Sequence, residues 1–177
     1  MPTPFSEVSP LPGPPAAVFA LLTDPGFLAE RALRSGAVEH EEEVRAEGGG
    51  TLVRSSRTVS TAGLPRVAAG YLGATAVVEQ LERWAPAAGD GSRDGTLELT
   101  VRGAPVRLEA RAQLRATATG CDHELTGTLS VQVPLFGAGV EQAALPGLLD
   151  LVRSEVQLAR ERLAGGGSSG PGGQQQR

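Results

Sequence analysis

Cys121, Asp122 and His123 stand side by side in "TGCDHE", and thiol, carboxylate and imidazole are side chains that bind zinc or move protons. Neighbouring residues of an extended chain point to opposite faces, so these three do not converge on one ion. The only other histidine, His40, is distant in sequence. The segment reads as a turn, not a metal site. "DGSRDG", residues 90–95, imitates the start of a calcium loop. Its twelfth position is Val101 instead of Glu, however, and no helical pattern flanks it. It reads as a hairpin loop. "EGGG" and "FGAG" lack the context of a phosphate-binding loop after a buried strand. No serine or cysteine has a histidine and an acid placed to activate it. We therefore assign no catalytic residue, no metal and no cofactor.

The remaining polar candidates sit in two strand-like stretches. In "TLVRSSRTVST", if Val53 and Val59 face inward, Ser55 and Arg57 do too. A buried arginine calls for a carboxylate, and Glu79 or Glu82 in the following stretch could supply it. The ordinary alternative is that both glutamates point to solvent. A cavity-lining Arg–Glu pair would orient a ligand's polar head. "EHEEE", residues 39–43, reads as a solvated edge strand, since charge discourages unwanted strand pairing.

The elements that must position these residues are legible in turn. "PFSEVSPLPG" suggests a short strand ended by prolines. "PPAAVFALLTD" and "DPGFLAERALRSG" read as two short helices, the second capped by Asp24, opened by Pro25 and stopped by Gly36. From Ala37 the pattern turns to β, with a break at "AGLPRVAAGYLG". The last three strands alternate strictly. Leu97, Leu99 and Val101 share one face, as do Val106, Leu108, Ala110, Ala112 and Leu114. Leu125, Gly127, Leu129, Val131 and Val133 form the third set. Such alternation means one covered face and one wet face. A long amphipathic helix follows, with Val140, Ala144, Leu148, Leu151, Val152, Glu155 and Leu158 on its stripe. Helix and sheet satisfy each other, giving an α+β fold with an antiparallel sheet of about seven strands. Pro146 falls inside that helix and should remove a hydrogen bond and bend its axis.

A chain of 177 residues supports one domain, expected here over residues 4–164. The tail "GGGSSGPGGQQQR", residues 165–177, has nothing to bury and is expected to be disordered. All 16 basic side chains are arginine, which with 24 Gly and 13 Pro reads as a GC-rich coding bias. The net charge of −4 and an aromatic content of 3% argue against nucleic acid as a partner. A single cysteine precludes an internal disulfide. No signal-peptide pattern or apolar run long enough for stable membrane insertion is present, so the expected location is cytoplasmic.

The order strand, two short helices, six strands and long helix resembles the START-like superfamily, also called SRPBCC, helix-grip or polyketide-cyclase-like. "PPAAVFALLTDPGFL", "ERW" before the hairpin and "VPLFGAGVEQ" entering the last helix carry the likeness. Together they are most similar to an uncharacterised actinobacterial family within it. The resemblance implies a curved sheet gripping the C-terminal helix, with a cavity for an apolar ligand. It implies no single activity, because members include lipid carriers, cyclases and protein-binding modules.

The residues add their own argument for a cavity. Leu108 and Leu114 bracket Ala110 and Ala112, Leu125 and Leu129 bracket Gly127, and Ala144 and Gly147 are small. Interiors pack to about 0.74–0.76 density, so missing bulk predicts space. The expected ligand site comprises Leu99, Leu108, Ala110, Ala112, Gly127, Leu129, Leu148, Leu151, Val152 and Arg57, with the 62–73 segment as its lid. The expected function is binding or carriage of an apolar, lipid- or polyketide-like small molecule. The alternatives are a cyclase or aromatase using the same cavity, or a protein-interaction module with a filled core.

Overall fold

The computed structural model describes residues 2–62, 73–132 and 137–166. Its elements are β1 (Thr3–Pro12), α1 (Pro15–Leu22), α2 (Pro25–Arg34), β2 (Ala37–Glu47), β3 (Gly50–Ser60), β4 (Thr75–Trp84), β5 (Arg93–Val101), β6 (Val106–Ala116), β7 (Gly120–Val131) and α3 (Gly137–Gly166). The seven strands form one sheet in the order β1-β7-β6-β5-β4-β3-β2, and every neighbouring pair is antiparallel. Strands β2 to β7 form a meander, and β1 returns to pair with β7. Both edges resist further pairing. Pro4, Pro10 and Pro12 lie on β1, and the acidic run 39–43 lies on β2.

Local chemistry explains the two short helices. The Asp24 carboxylate accepts from the Phe27 N–H at 2.8 Å, and Pro25 occupies the first helical position of α2. Gly36, at φ +82°, lets the chain leave α2 in a conformation that residues with a β-carbon rarely adopt. The inward face of α2 carries Phe27, Leu28, Arg31 and Ala32. Three of these are apolar core. The fourth delivers a guanidinium into the interior.

The long helix α3 spans 30 residues, or about 45 Å. Leu148, Val152, Glu155 and Leu158 of the stripe read in the sequence face inward, with Leu151 half out, but Ala144 does not. Glu141 is buried, Leu145, Leu148, Leu149, Val152 and Leu163 pack against the core, and Val156, Leu158 and Ala159 are within it. Ala144 and Gly147 instead face solvent, so their small size opens no space over the sheet. The first turns are anchored where the Glu141 carboxylate accepts from Val131 N–H at 2.8 Å and the Thr3 hydroxyl at 2.9 Å. The helix runs unbroken through Pro146. Pro146 and Gln142 both lie on the exposed side, where water can satisfy the carbonyl that proline leaves unpaired.

The 62–73 lid expectation falls almost entirely outside the described residues, as do Val133 and nearly all of the 165–177 tail.

Candidate functional site

The sheet face under α3 is not fully filled. A cavity of about 70 Å³ lies between β3–β7, α2 and α3. Its apolar wall includes Leu97, Leu99, Leu108, Ala110, Ala112 and Leu125 from the sheet, and Leu148, Leu151 and Val152 from α3. Of the ten expected site residues, eight line it: Arg57, Leu99, Leu108, Ala110, Ala112, Leu148, Leu151 and Val152. Leu151 is also 42% exposed, so it stands at the rim.

Gly127 and Leu129 do not line the cavity. Gly127 lies opposite Ala110, and a β-carbon built on it would come within 2.7 Å of Ala110 Cα and Cβ. Glycine stands there because β6 approaches too closely for a side chain, not because a ligand needs room. Leu129, opposite Leu108, is buried in the solid part of the core.

The polar wall comes from four elements. The Arg31 Nη1 group donates to Glu82 Oε1 at 3.2 Å and Glu155 Oε1 at 3.0 Å, and Nη2 donates to Ser55 Oγ at 3.0 Å. Glu82 is further held by Gln80 Nε2 at 2.8 Å and Trp84 Nε1 at 3.1 Å. Burial pulls the Arg31 guanidinium down, but the Glu155 and Glu82 carboxylates outweigh it and hold the group above its ordinary range. This cluster ties α2, β3, β4 and α3 together.

Arg57 is placed differently. It lies inward on β3, as the alternation with Val53 and Ser55 implies, but Glu82 belongs to Arg31. Glu79 points outward and accepts from Arg102 at 2.6 Å. Neither glutamate pairs with Arg57, and the alternative that both point to solvent holds for Glu79 alone, because residues three apart on a strand occupy opposite faces. Among the described residues the Arg57 guanidinium has no ion pair and no hydrogen bond, although the residue is only 9% exposed. Burial lowers its pKa, and the like charge of Arg31 lowers it further, against the pull of Glu155, Glu42 and Glu82.

His123 is a second correction. The segment 121–124 is not a turn but the start of β7, and His123 is buried against the cavity. Burial pushes the imidazole down, opposed by Glu155 and Glu82, so it is neutral at neutral pH. Its ring has no hydrogen bond among the described residues. Cys121, two positions earlier on the same face, is buried, and its thiol is pushed up to about 11, chiefly by burial; it is poorly suited to act as a nucleophile. Among the described residues no group of three or more His, Cys, Asp or Glu could hold a metal, and no helix is long and apolar enough to cross a membrane.

Arg31, Gln80, Trp84 and His123 were not singled out from sequence as site residues, although phase signals exist. Arg31 follows Phe27 by four on a helix. His123 precedes Leu125 by two on a strand, and Gln80 and Trp84 flank Glu82 by two.

A seven-stranded antiparallel sheet with two short helices after its first strand, and a long C-terminal helix across it, is the helix-grip fold. Solved structures agree on this fold. TTHA0849 from Thermus thermophilus is 18% identical with a TM-score of 0.59, covering 95% of this chain and 100% of that one. The ZhuI aromatase/cyclase from Streptomyces sp. R1128 is 10% identical with a TM-score of 0.60, covering 92% and 93%. Human STARD10 is 8% identical with a TM-score of 0.59, covering 88% of this chain and 62% of that one. No curated protein matches the sequence. The chain belongs to the family described as "Protein of unknown function (DUF2505)", whose model matches residues 8–163.

Proposed function

We propose that this protein binds or carries an apolar small molecule in the space between sheet and α3. The observation that carries this reading is the cavity itself, a mainly apolar wall rich in leucine and alanine, interrupted by polar groups such as Arg57 and His123. That is the usual make-up of a small-molecule site. At about 70 Å³ it is smaller than the roughly 300–1,000 Å³ of a drug-sized pocket. A larger ligand therefore needs α3 to move. The N-terminal half of α3 is the element suited to this, because between Gly139 and Leu151 only Glu141 is fully buried. Its leucines are half-covered, and separating them costs less than unseating Val156, Leu158 and Ala159.

Ala110→Leu tests the reading. It places a larger side chain in the cavity wall. If the space is a ligand site, the variant keeps or gains stability and loses uptake of a fluorescent apolar probe. If the interior is fully packed, it costs about 1–3 kcal/mol by overpacking and the parent binds no probe, which would sink the proposal. Native mass spectrometry of protein from its own host would show what is carried.

His123 favours a second reading, a cyclase- or aromatase-type reaction in the same cavity. It is a buried, neutral acid–base group without a hydrogen bond among the described residues, facing the apolar wall. The fold likeness to the aromatase/cyclase is compatible with this but does not supply it. Turnover of a polyketide-like substrate, lost in His123→Gln with binding retained, would establish it.

A further inference from the structure

Arg57 presents a guanidinium with five N–H donors to a largely apolar cavity, and no described residue accepts from it. The deficit is one of hydrogen bonding more than of net charge. Glu82 and Glu155 are both directed at Arg31, and Glu42, whose charge also attracts Arg57, is paired with His40 and makes no hydrogen bond to Arg57 among the described residues. Glu82 also accepts from Gln80 and Trp84, so it has little capacity left to turn toward β3. A buried cation without a bonded acceptor is costly to keep. Water can occupy its donors in the free protein, but a planar, two-oxygen anion matches their fork better than any single acceptor does. The apolar part of the wall (Leu97, Leu99, Leu108, Ala110) would receive a hydrocarbon or aromatic body.

We propose that the ligand is an amphiphilic acid, with an apolar body on the leucine–alanine wall and a carboxylate received by Arg57. This rests on the cavity being a ligand site. Arg57 is then the specificity residue, and the Arg31–Glu82–Glu155 cluster is the frame that denies it an internal partner.

The test is competition on the full chain loaded with the neutral fluorophore N-phenyl-naphthylamine. Decanoic acid, its methyl ester and decanol are the competitors at pH 7. They share the apolar body and differ at the head. The acid is expected to displace the probe at about tenfold lower concentration than the ester or alcohol, as one charge-assisted, bidentate pair allows. Arg57→Gln should abolish that preference, and Arg57→Lys should restore part of it, keeping charge but not the fork. Equal displacement by acid and ester in the parent protein overturns the carboxylate assignment and leaves the cavity reading standing. No probe uptake at all overturns both. Thermal melting of ligand-free Arg57→Gln gives an independent readout, expected at or above the parent. A clear drop would mean that Arg57 is a stabilising member of the Arg31 cluster, and would equally overturn the assignment.

Discussion

Arg31 and Arg57 enter the same interior, one from α2 and the other from β3, and are buried to nearly the same extent, 5% and 9% exposed. Around Arg31, carboxylates from β4 and α3 and a hydroxyl from β3 accept its protons, and Gln80 and Trp84 hold Glu82 in place. Around Arg57, no described residue does so. Burying a charge is tolerable when its hydrogen bonds are met and costly when they are not. The Arg31 region is therefore built for holding elements together, and the Arg57 region is left incomplete. A fold gains nothing from such a gap by itself. It becomes useful if something else completes it.

The largest expected effect breaks the completed side. Arg31→Ala strands Glu82 in the interior without its cation, which should cost about 3–5 kcal/mol, read from urea denaturation. Arg31→Met combined with Glu82→Gln should recover much of that, because the penalty lies in the unpaired charge. A loss below about 1 kcal/mol for Arg31→Ala would erase the contrast between the two arginines.

A smaller effect is expected from the device that aims Arg31. Asp24→Ala removes the side-chain cap of α2 and should cost about 1 kcal/mol, with no change in the relative displacement by acid and ester. If it altered that preference, α2 would belong to the head-binding side rather than to the frame.

The smallest effect concerns pH. His123 has a folded-state pKa below its unfolded value, so the unfolded chain takes up the proton first. Stability present above the unfolded histidine pKa, about 6.5, is lost as pH falls below it toward the folded value. His123→Gln should flatten that acid-side slope in a series of thermal melts. An unchanged slope would mean that the imidazole meets enough water to protonate freely.

Much of the fold was legible because its signals are local. The alternation of Leu108, Ala110, Ala112 and Leu114, and the Asp24–Pro25–Gly36 punctuation of α2, operate within a few residues. They could be read without knowing what lay opposite. The same locality misled at Gly127, where a small residue looked like empty space until the approach of β6 explained it. It misled again at Ala144, a small residue on the expected stripe that faces solvent instead of the sheet.

By itself, the sequence determined the element order, the wet and dry faces of the sheet, and that Val53, Ser55 and Arg57 share one face, since strand geometry makes alternate residues do so. Only the tertiary structure decided which carboxylate belongs to which arginine. Glu82 is 51 positions from Arg31 and Glu155 is 124 positions away, and the inward-facing candidate for Arg57, Glu82, was already taken. Pairing between charges depends on distances across the interior, and those are set by how α2 and α3 seat on the sheet, not by any pattern along the chain.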